Sequence, residues 1–138
     1  MLPIKQGIMK SIHPIPTART EKRLTNTSAD EAYPAWSPDG KQIAFSVSTG
    51  VWNTPESTST FEIYVMNADG TGRRQLTDNT AADSNPRWSP DGSLLAFISD
   101  RAESNHHDVF VMDADGTNIR QVTHTPSGAR AINPIWRP

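Results

Sequence analysis

The chain contains no cysteine. This excludes disulfide staples and thiolate-bound metal, and leaves the redox compartment open. No apolar run approaches the ~20 residues that a membrane-spanning helix needs, so no membrane insertion is expected. Thirteen Lys and Arg against 15 Asp and Glu leave a net charge of −2. That balance argues against nucleic acid as a partner and against attraction to an anionic membrane surface. The G-x-S-x-G elbow of a serine hydrolase is missing, as are the glycine loops that cradle nucleotide phosphates. The 8 glycines instead punctuate turns. Residues 1–10 carry lysines but neither a continuous apolar core nor a small-residue cleavage site, so no signal peptide is expected there.

What the chain does have is repetition. Pro34-Ala-Trp36-Ser37-Pro38-Asp39-Gly40, followed by Ile43-Ala44-Phe45, returns as Pro86-Arg-Trp88-Ser89-Pro90-Asp91-Gly92 with Leu95-Ala96-Phe97. A third copy begins at Asn133-Pro134-Ile135-Trp136. Trp36 and Trp88 lie 52 positions apart, whereas Asp69 and Asp115 lie 46 apart. The difference falls in one connection, Phe45 to Ile63 against Phe97 to Val109. Lengths held in strands and released in loops are how repeat architectures vary. Glu21-Lys-Arg-Leu24-Thr25 matches Arg73-Arg-Gln-Leu76-Thr77 and Arg120-Gln-Val122-Thr123, so the repeats are expected to be entered on a fourth strand. Residues 1–22 are irregular, because Pro14 and Pro16 each lack an amide donor and restrain the preceding residue.

Each unit reads as four short strands: one carrying the Trp, then 42–47 or 94–99, then 62–66 or 108–112, then one ending in Leu76-Thr77 or Val122-Thr123. Ile43, Phe45 and Val47 alternate as a strand with one strongly apolar face should. Ile63 to Met66 and Val109 to Met112 are apolar at every position and must be covered on both faces. Stacked four-stranded sheets meet that demand, and units of this length point to propeller blades. The predicted fold is all-β: about two and a half tandem blades of an incomplete β-propeller, spanning residues 23–138. The blades are expected at 34–77 and 86–123, with a third starting at 134. The turns at Ser37–Gly40 and Ser89–Gly92, and at Asn67–Gly70 and Asp113–Gly116, read as type I turns followed by a left-handed glycine. Both kinds fall at one end of a blade. The variable connections fall at the other, and recognition is expected there.

Candidate chemistry is sparse. Asp113-Ala-Asp115-Gly116-Thr117-Asn118 resembles the opening of a calcium loop, but Asn118 stands where the glycine is needed and His124 where the bidentate Glu is needed. His106 and His107 are adjacent and lack zinc spacing, so they read, like His13 and His124, as exposed histidines. Ser57, Ser59 and Ser104 have no neighbouring base. No catalytic, cofactor-binding or metal-binding residue is therefore assigned. Trp36, Trp88 and Trp136 recur in register and are expected to pack between blades. Trp52 lies outside the repeat, as a contact residue or as a pin for its own loop.

The motifs resemble the WD-like propeller repeat of the TolB family: P-x-W-S-P-D-G-x-x-I-A-F, then I-Y-V-M-x-x-D-G, then Q-L-T. They are met at Pro34–Phe45, Ile63–Gly70 and Gln75–Thr77, and again at Pro86–Phe97, Val109–Gly116 and Gln121–Thr123. Similar repeats build the propellers of prolyl-oligopeptidase-type peptidases and tricorn-like proteases. The missing motifs lead to the expectation of a non-enzymatic, cofactor-free module, and the resemblance implies that it presents a protein–protein interaction or scaffolding surface in the bacterial cell envelope, periplasmic by family. The alternative it implies is a piece of a serine peptidase's substrate-gating propeller. Closed propellers have ~4–8 blades. The chain is therefore expected to belong to a longer propeller or to self-associate through two bare apolar sheet faces.

Overall fold

The computed structural model describes residues 21–50, 60–102, 106–126 and 128–137. They form two antiparallel four-stranded sheets in simple meander order. The first comprises β1 (Glu31–Trp36), β2 (Gln42–Ser48), β3 (Phe61–Asn67) and β4 (Arg74–Gln75). The second comprises β5 (Asp83–Trp88), β6 (Leu94–Ser99), β7 (Asp108–Asp113) and β8 (Arg120–Gln121). Neither sheet closes on itself, and no helix is formed among the described residues.

The hairpins are built as the turn chemistry predicts. The Gly40 amide donates to the Ser37 carbonyl at 2.9 Å, and Gly40 sits at φ 70°. The Ser37 hydroxyl donates to Asp39 at 2.6 Å while accepting the Gln42 amide at 2.9 Å. Ser89, Asp91 and Leu94 repeat this arrangement. At the other hairpins Gly70 and Gly116 sit at φ 91° and 92°.

Strand one is longer than the Trp-bearing stretch suggested, starting at Glu31 and at Asp83. Proline can lie within it because the ladder breaks there. Pairing shifts register between Ala32 and Ala35 and between Ser84 and Arg87, with Tyr33 and Asn85 left-handed at φ 53° and 56°. Such a bulge leaves an unpaired residue and bends the strand. Strand four is shorter than expected, ending at Gln75 and Gln121. The Thr77 hydroxyl takes over the ladder by accepting the Ile63 amide at 2.9 Å, and Thr123 does the same for Val109 at 2.8 Å.

The core lies between the sheets. Ala44, Ile63 and Val65 of the first sheet pack on Trp88, Leu95, Phe97, Phe110 and Met112 of the second. The opposite face of the first sheet gathers Ile43, Phe45, Val47 and Met66 with Leu24 and Ala29. Both faces of β2 and β3 are thus covered, as their continuous apolar sequences require. The expectation of two bare sheet faces is corrected: Ile43, Phe45 and Met66 at one end and Ala96, Ile98 and Val111 at the other are all buried. Among the described residues, the exposed large apolar groups are Tyr33, Trp36, Ile119, Val122, Ile132 and Ile135.

Candidate functional site

The first strands of successive units lie side by side, with β5 packed against β1, β2 and β3. Their tryptophans make a ladder. The Trp88 indole N–H donates to the Ala35 carbonyl at 3.0 Å, and the Trp136 indole N–H donates to the Arg87 carbonyl at 2.9 Å. In each case the acceptor is the residue just before the tryptophan of the preceding unit. Trp88 is 8% exposed and Trp136 is half-buried, but Trp36 is 45% exposed. The expectation that all three are core residues is therefore corrected. A tryptophan here is buried only where an earlier first strand lies beneath it.

Residues 129–137 extend the stack without forming a strand. His107 pairs in parallel with Arg130, and the Ala131 amide donates to the His107 carbonyl at 2.8 Å. The Asn85 side-chain amide donates to the Ile132 carbonyl at 2.8 Å and to Asn133 Oδ1 at 3.2 Å. Pro134 is buried, like Pro86 in the unit before it. At the opposite end, Leu24 stands where a preceding fourth strand would. A Cβ on Gly70 would lie 2.6 Å from the Leu24 carbonyl oxygen, just as one on Gly116 would lie 3.0 Å from that of Leu76.

Each sheet also carries an arginine clamped over two aromatic rings. Arg73 pairs with Glu31 at 3.0 Å and lies 5.5 Å from the Phe45 centroid and 4.8 Å from that of Tyr64. Arg101 pairs with Asp83 at 2.6 Å and lies 5.3 and 5.2 Å from Phe97 and Phe110. The carboxylates and rings occupy equivalent repeat positions; the two arginines do not. Sequence reading missed this clamp because it aligned like with like.

The buried acids hold strands together. Glu62 accepts from the Thr77 hydroxyl at 2.6 Å and the Asn79 amide at 3.1 Å. Asp108 accepts from Thr123 at 2.9 Å, the Thr125 amide at 2.8 Å and Gln121 at 3.1 Å. Their ionisation nonetheless shifts in opposite directions. Burial raises the Glu62 carboxyl, its hydrogen bonds offset this in part, and the neighbouring charges of Asp83 and Asp78 push it further up. Burial also raises Asp108, but hydrogen bonds from Thr125, Thr123 and Gln121 outweigh that and hold it low.

Asp115, singled out as a calcium-loop residue, accepts from the Thr117 amide and hydroxyl at 2.9 and 2.6 Å. Asp113 accepts from the left-handed Asn118 at 2.7 Å. His106 and His107 are half-buried rather than exposed, with His107 drawn in by its pairing to Arg130. His124 is exposed. His13, Trp52, Ser57, Ser59 and Ser104 lie outside the described residues. No group of three His, Asp or Glu side chains is placed to hold a metal among the described residues.

A family model described as the TolB beta propeller domain matches residues 10–138. The chain belongs to that family. Among relatives of this TolB-type propeller, dipeptidyl-peptidase 5 of Porphyromonas gingivalis is 39% identical over 70 residues, covering 51% of this chain and 10% of that protein. Tol-Pal system protein TolB of Anaeromyxobacter dehalogenans is 43% identical over 53 residues, covering 38% of this chain and 10% of that protein. A solved structure from Agrobacterium tumefaciens, provisionally assigned as TolB, superimposes with a TM-score of 0.60 at 25% identity, over 75% of this chain and 34% of that one. The TolB-type propeller described here therefore spans about a tenth of the length of these curated relatives.

Proposed function

We propose that this propeller segment is a non-enzymatic module that presents a protein-binding or scaffolding surface and uses no metal or cofactor. The observation that supports this reading most is how its polar side chains are engaged. Glu62 and Asp108 bind the hydroxyls and amides that close each sheet, and Arg73 and Arg101 are locked between a carboxylate and two rings. These groups build a rigid support rather than a reacting centre, and a rigid support displaying variable loops is a common basis for recognition. The binding surface in this reading is the loop end of the sheets, opposite the Ser37–Gly40 and Asn67–Gly70 turns. A bacterial envelope setting, periplasmic by the family resemblance, belongs to the same proposal.

A second reading is favoured by the match to dipeptidyl-peptidase 5: the segment would gate substrate for a peptidase domain. The non-enzymatic reading is tested directly, and the reading frame around these residues separates it from the second. The purified chain is incubated with chromogenic dipeptide substrates, alone and after chemical cross-linking to an envelope extract. Specific cross-links without hydrolysis are the expected result. Hydrolysis that tracks with the purified chain would overturn the non-enzymatic reading. An α/β-hydrolase pattern with a nucleophile elbow in the same reading frame would decide for the peptidase.

A further inference from the structure

We propose that the four Asp–Gly turns are latent sites of isoaspartate formation, and that the hydroxyl bonded to each aspartate is the lock that keeps them closed. The loop end assigned to partner binding lies elsewhere, so the two ideas stand or fall separately.

The pairs are Asp39–Gly40, Asp69–Gly70, Asp91–Gly92 and Asp115–Gly116, and each aspartate is exposed. An aspartate followed by glycine is open to attack by its own backbone, because glycine has no side chain to shield its nitrogen. The glycine nitrogen bonds to the side-chain carboxyl carbon, and a carboxyl oxygen leaves as water. One of that water's protons comes from the amide and the other from the neutral acid. Water then opens the succinimide ring. Opening at the former main-chain carbonyl routes the chain through the side-chain carbon, giving isoaspartate with unchanged mass and one extra backbone carbon. Water lost equals water regained, and nothing is oxidised or reduced.

Ring closure needs a neutral carboxyl, a glycine nitrogen that is not already donating, and freedom to swing one onto the other. The same contacts withhold all three in every turn. The glycine amide donates to the carbonyl three residues back at 2.9 Å, Gly40 to Ser37, Gly70 to Asn67, Gly92 to Ser89 and Gly116 to Asp113. One carboxyl oxygen is pinned by the amide two residues on, at 2.9–3.0 Å. The same oxygen accepts a hydroxyl at 2.6 Å, from Ser37, Thr71, Ser89 or Thr117. That hydroxyl is the foremost reason each carboxyl sits below its ordinary value, since a donor to the charged form favours it. It thereby withholds the neutral acid on which ring closure depends.

Glycine follows all four aspartates, so it does not rank them; the hydroxyls do. Ser37 and Ser89 precede their aspartates, are buried, and are fixed by accepting the Gln42 and Leu94 amides at 2.9 and 3.0 Å. Asp91 has a further donor in the Ser93 hydroxyl at 2.8 Å. Thr71 and Thr117 follow their aspartates and are exposed. Isoaspartate should therefore appear at Asp69 and Asp115 before Asp39 and Asp91. At Asp115 the change reaches beyond its own turn. Arg74 of the first sheet donates to the Ala114 and Asp115 carbonyls at 3.3 and 3.2 Å, and an extra backbone carbon there displaces an acceptor that ties the two sheets.

The test holds the full chain at neutral pH and physiological temperature for weeks. Tryptic peptides are then followed by chromatography and by electron-transfer fragmentation, which marks the extra backbone carbon. Each aspartate falls in its own peptide, residues 24–41, 42–73, 88–101 and 102–120. Chain unfolded in guanidinium chloride should convert at all four sites at similar rates. Folded chain should convert more slowly, and at Asp69 and Asp115 first. Thr117→Val removes the hydroxyl and keeps the shape, and should speed Asp115 by about ten-fold or more, the rate factor of one hydrogen bond to a charged group. Thr117→Ser should restore the parent rate, and Ser89→Ala should speed Asp91 alone. Acceleration confined to the altered turn supports the proposal. Equal acceleration of all four sites in both variants would trace to global unfolding and overturns it. So does a Thr117→Val chain that converts at the parent rate, or a parent chain in which Asp91 converts first.

Discussion

Replacing Gly70 by alanine asks two things of the chain at once. The residue sits at φ 91°, and a new Cβ would lie 2.6 Å from the Leu24 carbonyl oxygen and 3.4 Å from its carbonyl carbon. Gly40 isolates the first demand, since it sits at φ 70° with nothing within 4 Å of an added Cβ. A left-handed conformation costs a residue with a Cβ roughly 1–2 kcal/mol. Gly40→Ala should therefore lose about that much. Gly70→Ala carries the same conformational term and must also push away a backbone segment packed on the sheet, an overpacking of about 1–3 kcal/mol. The expected loss is about 2–5 kcal/mol in all. Urea slopes for small proteins run at about 1–3 kcal/mol/M, so the two variants should melt roughly 1 M apart. Equal midpoints would refute the reasoning: the Leu24 segment would then be resting on the sheet without being held there. Gly116→Ala, at 3.0 Å from the Leu76 oxygen, should fall between the two.

Trp88→Ala should cost about 3–5 kcal/mol and Trp36→Ala under ~1 kcal/mol, because only the first is buried; parallel denaturant melts check this. Asp91 is held at about 2, first by the Ser89 hydroxyl and then by the Ser93 amide and hydroxyl. Ser89→Ala should bring it back toward 3.8, as read from carboxyl carbon shifts in an NMR titration, and an unmoved value would discount the Ser89 contact. Glu62 is raised in the folded state, so the folded chain binds that proton more tightly than the unfolded chain does. Stability from this group is therefore fully present below 4.5 and falls as pH rises through the raised value. Against Glu62→Gln, the parent should lose melting temperature over that window, and parallel curves would show that the carboxyl is not strained by burial. Millimolar calcium or zinc should leave the melting temperature unchanged, since Asp115 is already engaged by Thr117; a rise abolished by Asp115→Ala would contradict this.

The strands, their order and the turns were legible because they rest on local rules. Ser37 and Asp39 close a turn by contacts within five residues, and alternation along Ile43, Phe45 and Val47 marks a face without knowledge of what covers it. What escaped was set by neighbours. Trp36 and Trp88 share a motif, yet one is exposed and the other buried, because burial depends on the preceding strand rather than on the residue. The strand bulge was hidden for a related reason: Tyr33 is a poor signal for a left-handed residue, and only its equivalence to Asn85 suggests one. Thr77 and Thr123 ended their strands early through side-chain bonds, and propensity does not weigh these. The stretch at Asn133–Trp136 carries the motif of a first strand and docks in register without pairing as one.

The two arginine clamps carry a consequence for how such chains diverge. Arg73 comes from the approach to β4, where the second unit has Ile119. Arg101 follows β6, where the first unit has Thr49. One seam has thus been closed from opposite directions by side chains that share no alignment column. A crossover inside the repeat that joins β1–β3 of the second unit to the β4 of the first would crowd two guanidinium groups into one seam. The reciprocal product would leave a buried carboxylate with no counter-charge. Units that superimpose strand for strand are therefore not interchangeable parts. Unequal recombination between them is penalised by charge, and this would help tandem copies of such similar sequence to stay distinct instead of being homogenised.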